Sequence, residues 1–371
     1  MSQERLVAEM QRVGPALGVA MPARESLLKN LSRWENGHVV PNEENRRVLR
    51  TILSATDDDL GLLAPEPPPA IVGQRLGLDL LTYYEELLKQ HNIADNAMGP
   101  RAVLPLVLAQ VATLEPLVRT ARGADRKAGV RVLARYEEHL GWLAQDCGDL
   151  GAAAAHTDRA RALVAELDDP NLTAYVTMRR SNIATDDDDP ALALALADSA
   201  WTAGGQGPAD LRAVILRQRA NALAGLGERT ACAADMDLAL EVAGALEADE
   251  QALAPYCTQR YVAAEAGKCW LLLGEPQRAR DLLSALEHDP DASSRRDLGL
   301  ALSRAAVAHA ASGELEQACQ LARRAVELAR LAPSARIGRE LSALRALLRP
   351  HRRSPGVDGL WLAIGSLVGQ A

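Results

Sequence analysis

Apolar residues recur three and four positions apart along nearly the whole chain, the spacing of a single helical face, and strict alternation is almost absent. The pattern predicts an all-α protein. The one alternating run, "ALALALA" from Ala191 to Ala197, follows Asp189 and Pro190. A capping carboxylate and a proline at the first helical position make that run helical as well. The helical pattern first breaks at Ser54–Ala70, "SATDDDLGLLAPEPPPA", whose acidic triplet and prolines suit an extended connector. Residues 54–70 therefore read as a linker between a short head, 1–53, and a long body.

Within the body a turn recurs. Gly148, Gly227, Gly274 and Gly313 are each followed at once by Asp or Glu and then by a helical pattern. The 79 residues from Gly148 to Gly227 are about twice the 39 from Gly274 to Gly313, which places a further turn near residue 187. Small residues stand twelve positions after three of the turns, at Ala160, Ala239 and Ala325, where close approach of the two helices is expected; Leu286 departs from this. This helix–turn–helix unit resembles the tetratricopeptide repeat, lengthened to roughly 39–47 residues, over about 126–349. Residues 71–125 read as a helical lead-in without a clear repeat turn, and 350–371 as a capping segment with Trp361 over the last repeat. The resemblance implies an α-solenoid with a concave groove lined by the first helix of each pair. It places Gln145, Asn182, Arg217, Asn221, Tyr261 and Lys268 in that groove, with Trp142 beside them, as contacts for a peptide or protein ligand.

The head carries "KNLSRWENGHVVP", Lys29 to Pro41, and opens on "SQERLVAEM". Together these resemble the lambda-repressor or Xre-like helix-turn-helix family, of the type found in actinobacterial regulators with repeat domains. Leu31 and Trp34, three apart, share a helical face and anchor it to a core. The resemblance implies that Gln3, Lys29, Asn30, Ser32, Arg33 and Asn36 face double-stranded DNA, with Lys29 and Asn30 as base readers. Two departures stand out. The family's domain has another helix before the "SQE" segment, and about fifteen extra residues separate the two motif helices here. The implied function is transcriptional regulation by a homodimer whose repeats sense a ligand. A repeat scaffold that has lost DNA binding is the alternative.

Charge sharpens the division. The chain carries a net charge of −8, whereas residues 1–53 hold eight Lys/Arg against six Glu, a balance of +2. No motif for catalysis, phosphate binding or metal ligation is present, so no enzyme, cofactor or metal site is expected. The five cysteines are unpaired by spacing and read as small buried hydrophobes. No secretory signal and no membrane span is evident, and a cytoplasmic protein is expected.

Overall fold

The computed structural model describes residues 3–35, 41–56, 60, 75–246, 252–285, 295–354 and 356–368. Among them there are helices and turns and no strand. The chain divides into two compact units, Met1–Val72 and Gly73–Ala371. Of the expected linker, only Ser54–Thr56 and Leu60 lie within the described residues.

The first unit contains α1 (Gln3–Ala16), α2 (Arg24–Glu35) and α3 (Glu43–Leu53). Leu6, Val7 and Met10 of α1, Leu27 and Leu31 of α2, and Val48 and Leu49 of α3 form its core, with Trp34 packed half-buried against them. The extra residues between the motif helices are taken up by the end of α1, a connector at 17–23 and the start of α2. Arg47 ties α3 to that connector by donating to the Leu17 carbonyl at 3.1 Å. Asn42 caps α3, its side chain accepting from the Asn45 N–H at 2.9 Å.

The second unit begins with α4 (Leu78–Met98) and α5 (Pro100–Thr120). By length and composition α5 is apolar enough to cross a membrane. One of its faces, Val103, Val107, Val111 and Leu114, packs into the same core as Leu133, Tyr136 and Leu140. Helical pairs follow: α6 (Gly123–Cys147) with α7 (Leu150–Val164), α8 (Pro170–Asp186) with α9 (Pro190–Gly204), and α10 (Ala209–Gly225) with α11 (Arg229–Gly244). Next come α12 (Gln259–Leu272) with α13 (Pro276–Ser284), α14 (Arg295–Ala311) with α15 (Leu315–Leu331), and α16 (Ala335–Leu348) with α17 (Asp358–Val368). In α17, Trp361 packs on the last core and donates its indole N–H to the Arg345 carbonyl at 3.3 Å.

The repeat geometry follows from small residues at fixed offsets. Gly148, Gly227, Gly274 and Gly313 all have φ between 74° and 88°, the left-handed conformation that reverses the chain between paired helices. The turn expected near 187 is there, but Asp188 occupies the left-handed position, at φ 62°. Asp189 then caps α9 by accepting from the Leu192 N–H at 3.0 Å. Twelve positions after the turns, Ala160, Ala200, Ala239 and Ala325 are fully buried; Leu286 lies outside the described residues. Seven positions before them the first helices also carry small residues: Gly141, Ser181, Ala220, Gly267 and Ala306. A Cβ on Gly141 would sit 2.4 Å from Thr157 Oγ1, so this spacing sets how closely α6 meets α7.

Asp188 is strained twice, by its backbone and by a negative charge at the C-terminus of α8. Asp188→Gly is expected to stabilise the repeat unit by about 0.5–1 kcal/mol. A rise in the urea midpoint checks this, and a fall would show that the Asp188 side chain contributes more than its conformation costs.

Candidate functional site

The first helices of the pairs, α6, α8, α10, α12, α14 and α16, line a chamber of about 610 Å³, joined by α4 and the loop Ala252–Tyr256. Gln145, Asn182, Arg217, Asn221, Tyr261 and Lys268, the six residues expected in the groove, all stand on its lining. The surface is less open than the expected concave groove, because the two ends of the repeat stack meet. Arg296 of α14 binds Asp95 of α4 and donates to Asn96 at 2.7 Å. Asp146 of α6 accepts from Ser334 at 2.5 Å and from Arg336 at 3.1 Å. Asp186 of α8 pairs with Arg339 at 2.6 Å. Carboxylates near the front of the stack thus hold guanidiniums at its back, and the small Gly99 lets Pro333 approach: a Cβ there would lie 3.0 Å from Pro333 Cδ.

The lining is organised in tiers counted back from each turn. Nine positions before the turn stand His139, Arg179, Gln218, Glu265 and Arg304, one per repeat. A hydrogen-bonded chain runs along this tier. Arg179 donates to Glu138 at 2.7 Å, to Gln145 at 3.0 Å and to Asn182 at 2.6 Å. Asn182 donates onward to Gln218, which also accepts from Arg217 at 2.9 Å. Glu265 accepts from Asn221 at 2.9 Å and from Arg304 at 2.7 Å, and Arg304 reaches Glu340 at 3.1 Å. Burial alone would raise the Glu265 carboxyl, but Arg304, Arg217 and Lys268 outweigh it and hold it well below the usual carboxylate range.

This network changes the role of the expected groove amides. Both ends of Asn182 and of Asn221 are taken up within the lining, Asn221 Oδ1 also accepting from the Cys269 thiol at 3.5 Å. They bind neighbouring helices together rather than standing ready for a ligand backbone. Tyr261 and Lys268 remain half-buried on the lining. Sequence reasoning named Tyr261 but missed the aromatic cluster around it, thirteen positions before the turns. There Tyr175 and Tyr261 flank Tyr256 of the loop, with the Tyr175 and Tyr256 hydroxyls 3.5 Å apart and the Tyr256 and Tyr261 rings edge to face at 5.5 Å. Arg217 stacks on Tyr261 at 5.2 Å. At another tier Trp142 is surrounded by Arg179, Arg296 and Arg336, at 4.9, 5.0 and 4.3 Å from the ring. The fixed offset from each turn was the available signal for these tiers.

His139, almost fully buried on the lining, is pushed down to about 3, first by burial and then by His91, Arg296, Arg179 and Arg135. An imidazole held below its unfolded value near 6.5 contributes stability above that pH and loses it as pH falls toward the folded value. Between pH 6.5 and pH 5 the expected loss from this group is roughly 1.5 kcal/mol. His139→Gln should flatten the pH dependence of the urea midpoint in that window; an unchanged slope would assign it to other groups.

In the first unit the expected DNA-facing residues lie on α1 and α2. Gln3 and Lys29 are exposed, and Asn30 and Ser32 are half-buried. The side chain of Arg33, and Asn36 altogether, lie outside the described residues. Leu31, with Trp34 behind it, turns the other face of α2 into the core.

No protein-family model and no curated protein matches the chain. Among solved structures it is similar to a Rap protein complexed with Competence and Sporulation Factor, at 12% identity and a TM-score of 0.52, over 78% of this chain and 85% of that one. It is also similar to BtubC from P. vanneervenii, at 19% identity and a TM-score of 0.44, over 60% of this chain and 91% of that one. A third is the C-terminal part of a TPR repeat-containing protein from Cytophaga hutchinsonii, at 13% identity and a TM-score of 0.31, over 78% and 96% of the two chains. The likeness to the Rap protein shows the fold alone: an all-α chain built on tetratricopeptide-like helical repeats.

Proposed function

We propose that this chain is a transcriptional regulator whose first unit binds double-stranded DNA and whose repeats bind a peptide or protein ligand. The chamber of about 610 Å³ carries the reading, because repeat helices present polar and aromatic side chains to one partly open space of ligand-binding size. The Rap protein of similar fold was solved with Competence and Sporulation Factor bound, which supports a ligand-binding role for such a stack. For the first unit, the support is the Ser-Arg-Trp-Glu pattern on α2, a helix anchored by Leu31 and exposing Lys29. A helix held by one face and cationic on the other suits insertion into a major groove. A homodimer would present two such helices to paired half-sites.

A gel shift with DNA flanking the gene, comparing wild type with Lys29→Ala/Arg33→Ala, tests the DNA-binding half. Wild type should shift a fragment at low salt, and the double variant should bind roughly tenfold or more weakly, with a shallower salt dependence. If wild type shifts no fragment at low salt, the chain is instead a repeat scaffold for protein interaction.

A further inference from the structure

The chamber's charge is opposite in sign to that of the whole chain. Against a net charge of −8, its lining carries eight Lys/Arg and only four carboxylates: Glu138, Asp186, Glu265 and Asp297. Asp95, Asp146 and Glu340, bonded to lining guanidiniums, neutralise part of the excess. Arg135 and Lys268 are left over: among the described residues neither has an ion pair or hydrogen bond. Carboxylates near Lys268 are already engaged, Asp186 by Arg339 and Gln145, and Glu265 by Arg304 and Asn221. Asp186 and Glu265 attract Lys268 only from beyond ion-pair distance. A half-buried cation with no carboxylate in direct contact is costly where water is partly excluded, so each of these two sites favours an incoming anion.

Their placement separates two kinds of anion. Arg135 stands thirteen positions before its turn, in the tier of Tyr175 and Tyr261, and Lys268 stands six before its own, in the tier of Trp142. Seven helical residues are about 10 Å along a helix axis, the span of roughly three residues of extended chain. That offset suits anions spaced along a chain better than one small anion. With Asn182 and Asn221 committed to the lining, Arg135 and Lys268 are the charged groups left for recognition, and the tyrosine cluster supplies apolar area beside them.

Resting on the ligand-binding reading above, we propose that the chamber selects an acidic peptide, with carboxylates spaced along it that pair with Arg135 and Lys268. The test is thermal shift of the full chain with three pools of random short peptides whose variable positions are acidic, neutral or basic, and with citrate and inorganic phosphate. The acidic pool should raise the melting temperature, and the other pools and the small anions should not. Arg135→Gln and Lys268→Gln should each weaken that response roughly tenfold in peptide concentration while leaving far-UV helicity unchanged. An equal response to neutral or basic pools, or an acidic-pool response that survives both substitutions, overturns the acidic assignment and leaves ligand binding standing. A response to citrate or phosphate as large as to the peptides replaces the peptide with a small anion. If no pool and no anion moves the melting temperature, the ligand-binding reading fails with it.

Discussion

Glu265→Gln is expected to lower the stability of the repeat unit by about 3–5 kcal/mol. The substitution keeps the shape of the side chain and removes only its charge. Glu265 is buried, accepts from Asn221 and Arg304, and lies 4.0 Å from Arg217. Arg217 and Arg304 are themselves buried, so the variant leaves Arg217 without a carboxylate and Arg304 with Glu340 alone, where water does not reach them. The folded-state carboxyl is held below its ordinary value, so its contribution is present above the unfolded pKa and is lost as pH falls through the lower folded one. The deficit of the variant should therefore be full at pH 7 and shrink in acid. Glu275→Gln is the control, because its partner Arg229 is exposed and solvent screens the pair. Its melting temperature should stay close to that of wild type, whereas Glu265→Gln should melt roughly 6 °C lower or more. Equal melting of the two variants would mean that the buried chain of charges contributes little.

Asp146→Asn is expected to open the closed stack locally. Asp146 is fully buried, accepts from Ser334 and Arg336, and has Arg296 at 3.5 Å. Neutralising it leaves these cations short of a counter-charge where the first and last repeats meet. The cost is about 3 kcal/mol, but it falls on one seam and not on every helix pair, because each repeat otherwise packs on its neighbours. Hydrogen exchange should therefore accelerate roughly a hundredfold in α16 and α4 and change little in α8–α11. Uniform acceleration would instead make the seam part of one cooperative unit, and no acceleration would remove its structural role.

Much of the architecture was legible in the chain because repeats write local rules many times over. The turn glycines, the buried Ala160, Ala239 and Ala325, and the cap at Asp189 each depend on backbone conformation or on contact with the neighbouring helix. The turn near residue 187 was locatable without a glycine, since its spacing and the following Asp-Pro carry the same information. The six groove positions were locatable for a related reason: a helical period counted from a known turn gives the face a side chain occupies.

Sequence by itself determined, then, that the chain is all-α, where its repeats turn, and which residues face inward. Tertiary structure alone decided what those residues do there. Whether Asn221 meets a ligand or Glu265, whether Asp146 faces solvent or Arg336, and whether the groove stays open depend on partners 44 to 190 residues away. Those pairings are set by how small rotations between successive helix pairs accumulate around the stack, a sum over packing contacts that no local pattern contains.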